Sequence, residues 1–196
     1  MRLFFDIDGV LLNFESTFTA FLNKTYGSGL PADYQTETWL FEEVLGPGKF
    51  QRAWTRFLAS AEVGRMPPLI EPERFNALAR GRPVHLVTHF PVEFRHKRET
   101  NLGELGFGFD SLHYCGLASG VAGAPLSKAE TIRGLLPPGE RALFCDDHPE
   151  NCVAVRELCP EVEVWLMSRR FNQDFHHPQV NRAEGWGCLI ERLEER

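Results

Sequence analysis

The stretch Arg2-Leu3-Phe4-Phe5-Asp6-Ile7-Asp8-Gly9-Val10-Leu11 decides the fold class of this 196-residue chain. Its first half is an almost continuous apolar run, which is typical of a strand buried on both faces of a parallel sheet. Asp6 and Asp8 are two residues apart, so both side chains face the same side of such a strand. Gly9 then permits the chain to turn away. The stretch therefore predicts a strand that ends in two neighbouring carboxylates.

Four more apolar segments resemble this first strand, and helical patterns lie between them. The predicted strands are residues 2–7, 83–88, 111–115, 142–146 and 162–167, and the predicted helices are residues 95–105, 128–136, 149–158 and 186–193. This alternation predicts an α/β fold with a Rossmann-like, five-stranded parallel sheet and helices on both faces. Ligands of such sheets bind beyond the carboxyl ends of the strands.

One long segment interrupts the alternation. Residues 14–70 contain no convincing strand, and Phe14 and Phe18 begin a series of aromatic side chains at helical spacing. We therefore predict a small helical domain at residues 14–70, inserted directly after the first strand. Residues 1–13 and 71–196 would form the catalytic core.

The composition sets limits on partners and location. The net charge is −6, from 21 Lys and Arg against 27 Asp and Glu, which disfavours binding to a nucleic-acid polymer. No apolar run is long enough to span a membrane, and no signal-peptide core is present. The five cysteines are odd in number and contain no C-x-x-C pair, so free thiols in the cytoplasm are expected. The oligomeric state, monomer or homodimer, stays open.

Two pairs of acidic residues stand at predicted strand ends. Asp6 and Asp8 end the first strand, and Asp146 and Asp147 end the fourth. Neighbouring carboxylates repel each other unless a cation or a shared proton relieves them, and Mg²⁺ prefers such oxygen ligands. The simpler alternatives are that Asp6 and Asp8 are solvated loop acids and that Asp147 caps the helix that follows.

Three further residues could bind a phosphate group at the same edge of the sheet. Thr88 ends the second strand and His89 follows it, while Lys128 opens a helix. Thr88 and Lys128 have ordinary structural explanations, since Thr favours strands and most lysines are solvated surface charges. Their common position beside the acidic pairs predicts one site.

The order of these motifs resembles a known family. D-x-D-G-V-L at Asp6, then Thr88, Lys128 and Asp146-Asp147, is similar to the four-motif signature of the haloacid dehalogenase (HAD) superfamily, and the insert resembles its helical C1 cap. Within that superfamily the chain looks most like the 5′(3′)-deoxyribonucleotidases, also called C-type 5′-nucleotidases. The residues that carry this finer resemblance are Asp6–Glu15, Asp146-Asp147-x-x-x-Asn151, Phe171-Asn172 and Trp186. His89 departs from that branch, which usually has a small polar residue there.

The resemblance implies a mechanism. Asp6 would attack phosphorus and form an aspartyl-phosphate, while Asp8 would protonate the leaving alkoxide and later deprotonate a water molecule. Mg²⁺ would be held by Asp6, Asp146 and the backbone carbonyl of Asp8, with Asp147 supporting these ligands from outside. Thr88, His89 and Lys128 would hold the phosphate oxygens.

The substrate expectation comes from the aromatic side chains of the insert. Stacking of a base on an aromatic ring contributes about 1–3 kcal/mol in single-strand binders, although aromatic residues at helical spacing are more often core. Phe14 and Trp39 are the best candidates for a base platform, which favours a nucleoside monophosphate as substrate. The alternatives are a phosphatase of another small metabolite, a phosphotransferase or mutase, and a non-catalytic binding protein with the same fold.

Overall fold

The computed structural model describes residues 1–116 and 126–195. The strands in this part of the chain are β1 (Arg2–Phe5), β2 (Val84–Thr88), β3 (Ser111–Tyr114), β4 (Ala142–Asp146), β5 (Val162–Met167) and β6 (Asn181–Ala183). The α-helices are α1 (Phe14–Tyr26), α2 (Glu42–Leu45), α3 (Phe50–Ala59), α4 (Pro72–Ala79), α5 (Arg95–Leu105), α6 (Lys128–Leu135), α7 (Pro149–Leu158) and α8 (Trp186–Glu194). Short 3₁₀ helices cover Glu62–Gly64, Val92–Phe94 and Arg170–Asn172.

The strands form one parallel sheet in the order β3-β2-β1-β4-β5-β6. This confirms the predicted α/β class, with six strands in place of the predicted five. The additional strand is β6, three residues long, which pairs with the end of β5. Its sequence, Asn-Arg-Ala, lacks the apolar run by which the other strands were predicted.

Alternate side chains of β1 enter two apolar clusters, one on each face of the sheet. Leu3 and Phe5 join a cluster that includes residues of α4, α5 and α8, whereas Phe4 joins a cluster with residues of α6 and α7. Helices therefore cover both faces. This double cover explains why the central strands read as continuous apolar runs.

The helices of the insert begin and end at residues suited to those positions. At the start of α1, the Asn13 side chain accepts a hydrogen bond from the Ser16 N–H at 3.1 Å. The helix ends at Gly27, whose φ of 64° suits a residue without a Cβ. The insert contains helices and turns, and Phe18, Phe41 and Phe57 extend the first apolar cluster into it. The assignment of residues 14–70 to a separate cap domain stays a prediction.

A short two-stranded ribbon joins the two ends of the insert. The Asn13 N–H donates to the Pro67 carbonyl, and the Leu69 N–H donates to the Leu11 carbonyl, both at 2.8 Å. Leu12 and Pro68 form an antiparallel bridge between these bonds. The two ends of the insert therefore lie side by side, shortly after β1.

In the described ranges, no helix combines the length and apolar character needed to cross a lipid bilayer. Whether the protein is cytoplasmic stays a prediction.

Candidate active site

Three adjacent strands deliver polar side chains to one edge of the sheet. β1 lies between β2 and β4, with Phe5 opposite Leu86 on one side and Cys145 on the other. Asp6 follows β1 directly, Thr88 ends β2 and Asp146 ends β4. All three side chains are buried. The parallel register thus brings together residues that are up to 140 positions apart in the sequence.

Lys128 lies between two of the carboxylates. Its Nζ is 2.8 Å from Oδ1 of Asp6 and 2.7 Å from Oδ2 of Asp146, and all three side chains are almost fully buried. Lys128 is positioned by a capping box at the start of α6, formed by Ser127 and Glu130. Burial opposes the charge on the ammonium group, but the two carboxylates raise the pKa of Lys128 above its ordinary value.

The pKa values of these two carboxylates shift in opposite directions, although burial acts upward on both. Burial raises the pKa of Asp6, and the charges of Asp146 and Asp8 reinforce this against the lowering effect of Lys128. For Asp146 burial also acts upward, but the charge of Lys128 and hydrogen bonds to His148 and Asn151 lower its pKa overall.

Asp147 completes a group of three buried carboxylates. One oxygen each from Asp6, Asp146 and Asp147 lies within 4.8 Å of the other two. Burial, together with the charges of Asp6 and Asp146, raises the pKa of Asp147 well above its ordinary value. Its Oδ1 is buried without a hydrogen-bond partner among the described residues. Clustered oxygens with one orphaned acceptor are a donor set that fits a hard divalent cation.

Gly9 makes room for Asp147. The φ of Gly9 is 77°, and a Cβ added there would lie 1.9 Å from Oδ2 of Asp147. Only glycine meets both conditions without strain. The turn after Asp8 and the position of Asp147 are therefore coupled.

The interpretation of Asp147 as a helix cap is wrong. Helix α7 begins after His148, and no side chain caps it. It is Asp146 whose Oδ1 accepts the His148 N–H, at 2.8 Å, and the Asn151 side-chain amide, at 3.2 Å. Asp146 is thereby held in place by α7, while the Asp147 carboxylate lies beside Asp6.

The Asp8 side chain lies outside this group of carboxylates. Both of its oxygens contact Nη2 of Arg98, at 2.6 and 2.8 Å. Burial raises the pKa of Asp8, and the positive charge of Arg98 opposes that rise. Sequence reasoning missed Arg98, because Arg95-His-Lys-Arg-Glu reads as the solvated face of a helix. No local pattern distinguishes Arg98 from its charged neighbours.

A cavity of about 360 Å³ opens above these residues. Its polar end is formed by Asp6, Asp8, Thr88, His89, Lys128 and Asn151. Its other walls come largely from the insert: Phe14, Trp39, Leu40, Glu42, Gly48, Phe50, Gln51 and Trp54, together with Phe90 of the core. Both aromatic residues predicted for a substrate pocket, Phe14 and Trp39, thus line the same cavity as the acidic residues.

Thr88 and His89 both border the polar end of the cavity, and neither adds a charge to it. The Thr88 hydroxyl oxygen accepts the Phe90 N–H at 3.1 Å, which leaves its own O–H available to a ligand. Burial, with the nearby charge of Lys128, lowers the pKa of His89 to about 4. The His89 imidazole is therefore neutral at pH 7, and it adds no positive charge to the site.

Trp39 links the insert to the core across the cavity. Its ring meets those of His148 and Phe171 edge to face, with centroid distances of 4.5 and 5.3 Å. The side chain nevertheless stays 40% exposed. One part of Trp39 therefore rests on His148 in the loop after β4, and another part is exposed.

The turn that carries Trp39 is strained and firmly anchored. Phe41 is buried and has a φ of 51°, a left-handed conformation that is unusual for a bulky residue. Next to it, Oε1 of Glu43 accepts hydrogen bonds from Tyr34, Thr36 and the Glu37 N–H, at 2.7, 2.6 and 2.8 Å. Aromatic packing and this network together offset the strain and hold the turn over the cavity.

Comparisons with known proteins agree on the fold. No protein-family model and no curated protein matches the chain significantly by sequence. Among solved structures, a haloacid dehalogenase-like hydrolase from Streptococcus pneumoniae superposes with a TM-score of 0.61, at 17% identity over 97% of both chains. CbbY from Rhodobacter sphaeroides, solved in complex with phosphate, has a TM-score of 0.60 at 16% identity over 96% of this chain and 95% of its own.

A third match is the HAD hydrolase YfnB from Bacillus subtilis, solved with bound magnesium. Its TM-score is 0.60, at 14% identity over 98% of each chain. Sequence identities this low support a shared fold, but they do not identify the reaction or the substrate. The chain has the fold of the HAD-superfamily hydrolases, with a cluster of buried carboxylates at the edge of the sheet where the strands end.

Proposed function

We propose that this chain is a magnesium-dependent phosphomonoester hydrolase that works through an aspartyl-phosphate on Asp6. The observation that carries the proposal is the position of Lys128, which contacts Asp6 and Asp146 at the polar end of a cavity that also contains Thr88. A nucleophilic carboxylate, a cation and a hydroxyl donor thus surround a space open to a small ligand. Hydrolysis of a phosphate ester needs this combination, because an anionic nucleophile must approach an anionic group.

In the first half-reaction, an oxygen of Asp6 attacks phosphorus, and the bond between phosphorus and the ester oxygen breaks. Asp8 gives a proton to that oxygen, so the alcohol leaves in its neutral form. Lys128 and the Thr88 hydroxyl hold the oxygens of the transferring group. The neutral His89 imidazole donates a further hydrogen bond.

In the second half-reaction, water attacks phosphorus and Asp8 accepts its proton. The bond between Asp6 and phosphorus breaks, which releases inorganic phosphate and restores the Asp6 carboxylate and the protonated Asp8. Two smaller barriers replace one large barrier, as in other covalent mechanisms.

The magnesium ion would be held by the carboxylates of Asp6, Asp146 and Asp147. The backbone carbonyl of Asp8, a ligand implied by the resemblance, is a further candidate. The orphaned Oδ1 of Asp147 and the mutual repulsion of these carboxylates support this assignment. When bound, the ion would offset the repulsion between the nucleophile and the phosphate dianion.

The aromatic walls of the cavity support a proposal for the substrate class. Its size lies near the lower end of the range for small-molecule sites, about 300–1,000 Å³. Phe14, Trp39, Phe50 and Trp54 provide aromatic surface in the same cavity as the polar residues. A substrate that joins a phosphate to a flat aromatic group would match this combination of polar and aromatic lining. The cavity therefore favours a nucleoside monophosphate, the substrate of 5′(3′)-deoxyribonucleotidases. Residues 14–70 would then act as the substrate-selecting cap.

The direct test is phosphate release from a panel of ribo- and deoxynucleoside monophosphates and sugar phosphates, with Mg²⁺ or with EDTA. We expect release that requires Mg²⁺ and is fastest with deoxynucleoside monophosphates. Magnesium-dependent release with another preference would contradict the nucleotidase assignment and support a phosphatase of a different metabolite. Transfer to an added alcohol would indicate a phosphotransferase, and a complete lack of turnover would favour a binding protein.

Replacement of Trp39 by Ala should change substrate choice. We expect the KM for nucleoside monophosphates to rise about tenfold, in line with the loss of one stacking contact. The KM for sugar phosphates should change little, because they lack a flat ring. Trp39→Phe, which keeps an aromatic face, is the matched control. An equal rise in KM for both classes of substrate would contradict a base platform at Trp39.

A further inference from the structure

Arg98 is a fully buried arginine that none of the sequence motifs includes. It lies in α5, its side chain has no exposed surface, and its ionic partner among the described residues is Asp8. Burial of a guanidinium group is costly, and it is tolerated only where the charge is paired. A cation in this place therefore suggests a function that a neutral core residue could not perform.

Contacts on several sides fix the guanidinium group. Its carbon atom lies 4.5 Å from the centre of the Phe90 ring, and Nη1 contacts Sδ of Met66 at 3.4 Å. Met66 is itself held by Asn101, which bonds both its N–H and its carbonyl, at 3.0 and 3.2 Å. The Arg98 side chain thus extends from α5 and is held between Phe90, which follows β2, and Met66 at the end of the insert.

The contact with Asp8 is made end-on. One nitrogen, Nη2, contacts both carboxylate oxygens, whereas Nη1 points toward Met66. This geometry leaves lone pairs on both oxygens unused, and Asp8 still lines the cavity. Lys128 also attracts the Asp8 carboxylate. Asp6 has the same charge as Asp8 and repels it, so the direct contact with Arg98 is what fixes the Asp8 side chain.

We propose that Arg98 is a positioning residue that holds the Asp8 carboxylate apart from Asp6, Asp146 and Asp147, where it can exchange a proton with the ester oxygen. This inference rests on the proposed function, because it assumes that Asp8 transfers protons. Arg98 itself would touch neither the substrate nor the metal.

Leaving-group dependence tests the inference. A nucleoside monophosphate loses an alkoxide that must be protonated, whereas 4-nitrophenyl phosphate loses a phenolate that leaves without a proton. Under single-turnover conditions, Arg98→Met should slow alcohol release from the nucleotide by about 10²–10⁴-fold, the usual contribution of general acid–base catalysis. Release of nitrophenolate should stay within about tenfold of the wild type.

A double-mutant cycle separates positioning from a structural effect. In the Asp8→Asn background, Arg98→Met should slow nucleotide cleavage by less than about threefold, because the group that Arg98 positions is already lost. Arg98→Lys, which keeps the charge but not the planar contact with Phe90, should show a smaller defect of the same type. Arg95→Met, an exposed change one turn earlier in α5, should match the wild type.

Equal losses on both esters, or a full additional loss in the Asp8→Asn background, would overturn the inference. If Arg98→Met does not fold, the same comparison is made with Arg98→Lys, and thermal melting of each variant identifies the folded ones. Failure of the underlying function would look different, since Asp8→Asn would then show no leaving-group dependence, or the wild type would cleave neither ester.

Discussion

Asp6→Asn is expected to abolish phosphate release, with kcat reduced by about 10⁴-fold or more, the scale on which removal of a nucleophile acts. The amide is nearly the same size and shape as the carboxylate, but it cannot form a stable bond to phosphorus. The fold should persist, because Lys128 keeps its contact with Asp146 and one of several mutually repelling carboxylates is removed. Steady-state phosphate release and thermal melting measure the two effects.

The matched control for this substitution is Asp174→Asn, at an exposed acid on the surface of the core. It should leave both turnover and melting temperature unchanged. Acid quenching after reaction with ³²P-labelled ester provides a second measurement, since the wild type should retain label on the protein and Asp6→Asn should not. Turnover by Asp6→Asn within about tenfold of the wild type would refute the covalent mechanism.

Lys128→Met is expected to damage stability as well as activity. Removal of one partner from a buried ionic contact typically costs about 3–5 kcal/mol, because the remaining charge stays buried and unpaired. Here two carboxylates, Asp6 and Asp146, would lose the same cation. Urea unfolding should show the loss. Magnesium should restore part of it, because an ion that binds only the folded state stabilises that state.

Lys24→Met is the matched control for Lys128→Met. Lys24 also pairs with a carboxylate, that of Glu62 at 2.6 Å, but its side chain is 74% exposed. Exposed ion pairs contribute about 0–1 kcal/mol, so this change should have little effect. If Lys128→Met were as stable as Lys24→Met, Lys128 would not be the cation that holds the carboxylates together.

Sequence periodicity was sufficient for the sheet and most helices. β4, β5, α5 and α7 begin and end where the apolar and helical patterns predicted, since continuous burial imposes a simple pattern on such elements. β6 was missed because an edge strand of three residues needs no apolar run. The anchored turn at Phe41 was also missed, since nothing in its composition signals a left-handed phenylalanine.

In the site too, positions set by secondary structure could be predicted, whereas contacts set by tertiary packing could not. Asp6, Thr88, Lys128 and Asp146 could be placed together because each ends a strand or begins a helix next to the same sheet edge. Contacts that depend on side-chain direction could not be inferred in this way. The Asp8 side chain points toward Arg98, and the Asp147 side chain lies against Gly9. Both contacts depend on tertiary packing between residues that are distant in the sequence.

The ribbon that pairs Leu11–Asn13 with Pro67–Leu69 has a consequence for protein engineering. Because it holds both ends of the insert beside each other, the length and sequence between them can vary with little strain on β1. The ribbon is therefore a natural junction for chimaeras, in which the insert of one protein with this fold replaces that of another. Exchange at this junction would transfer the aromatic walls of the cavity while the buried carboxylates kept their own surroundings.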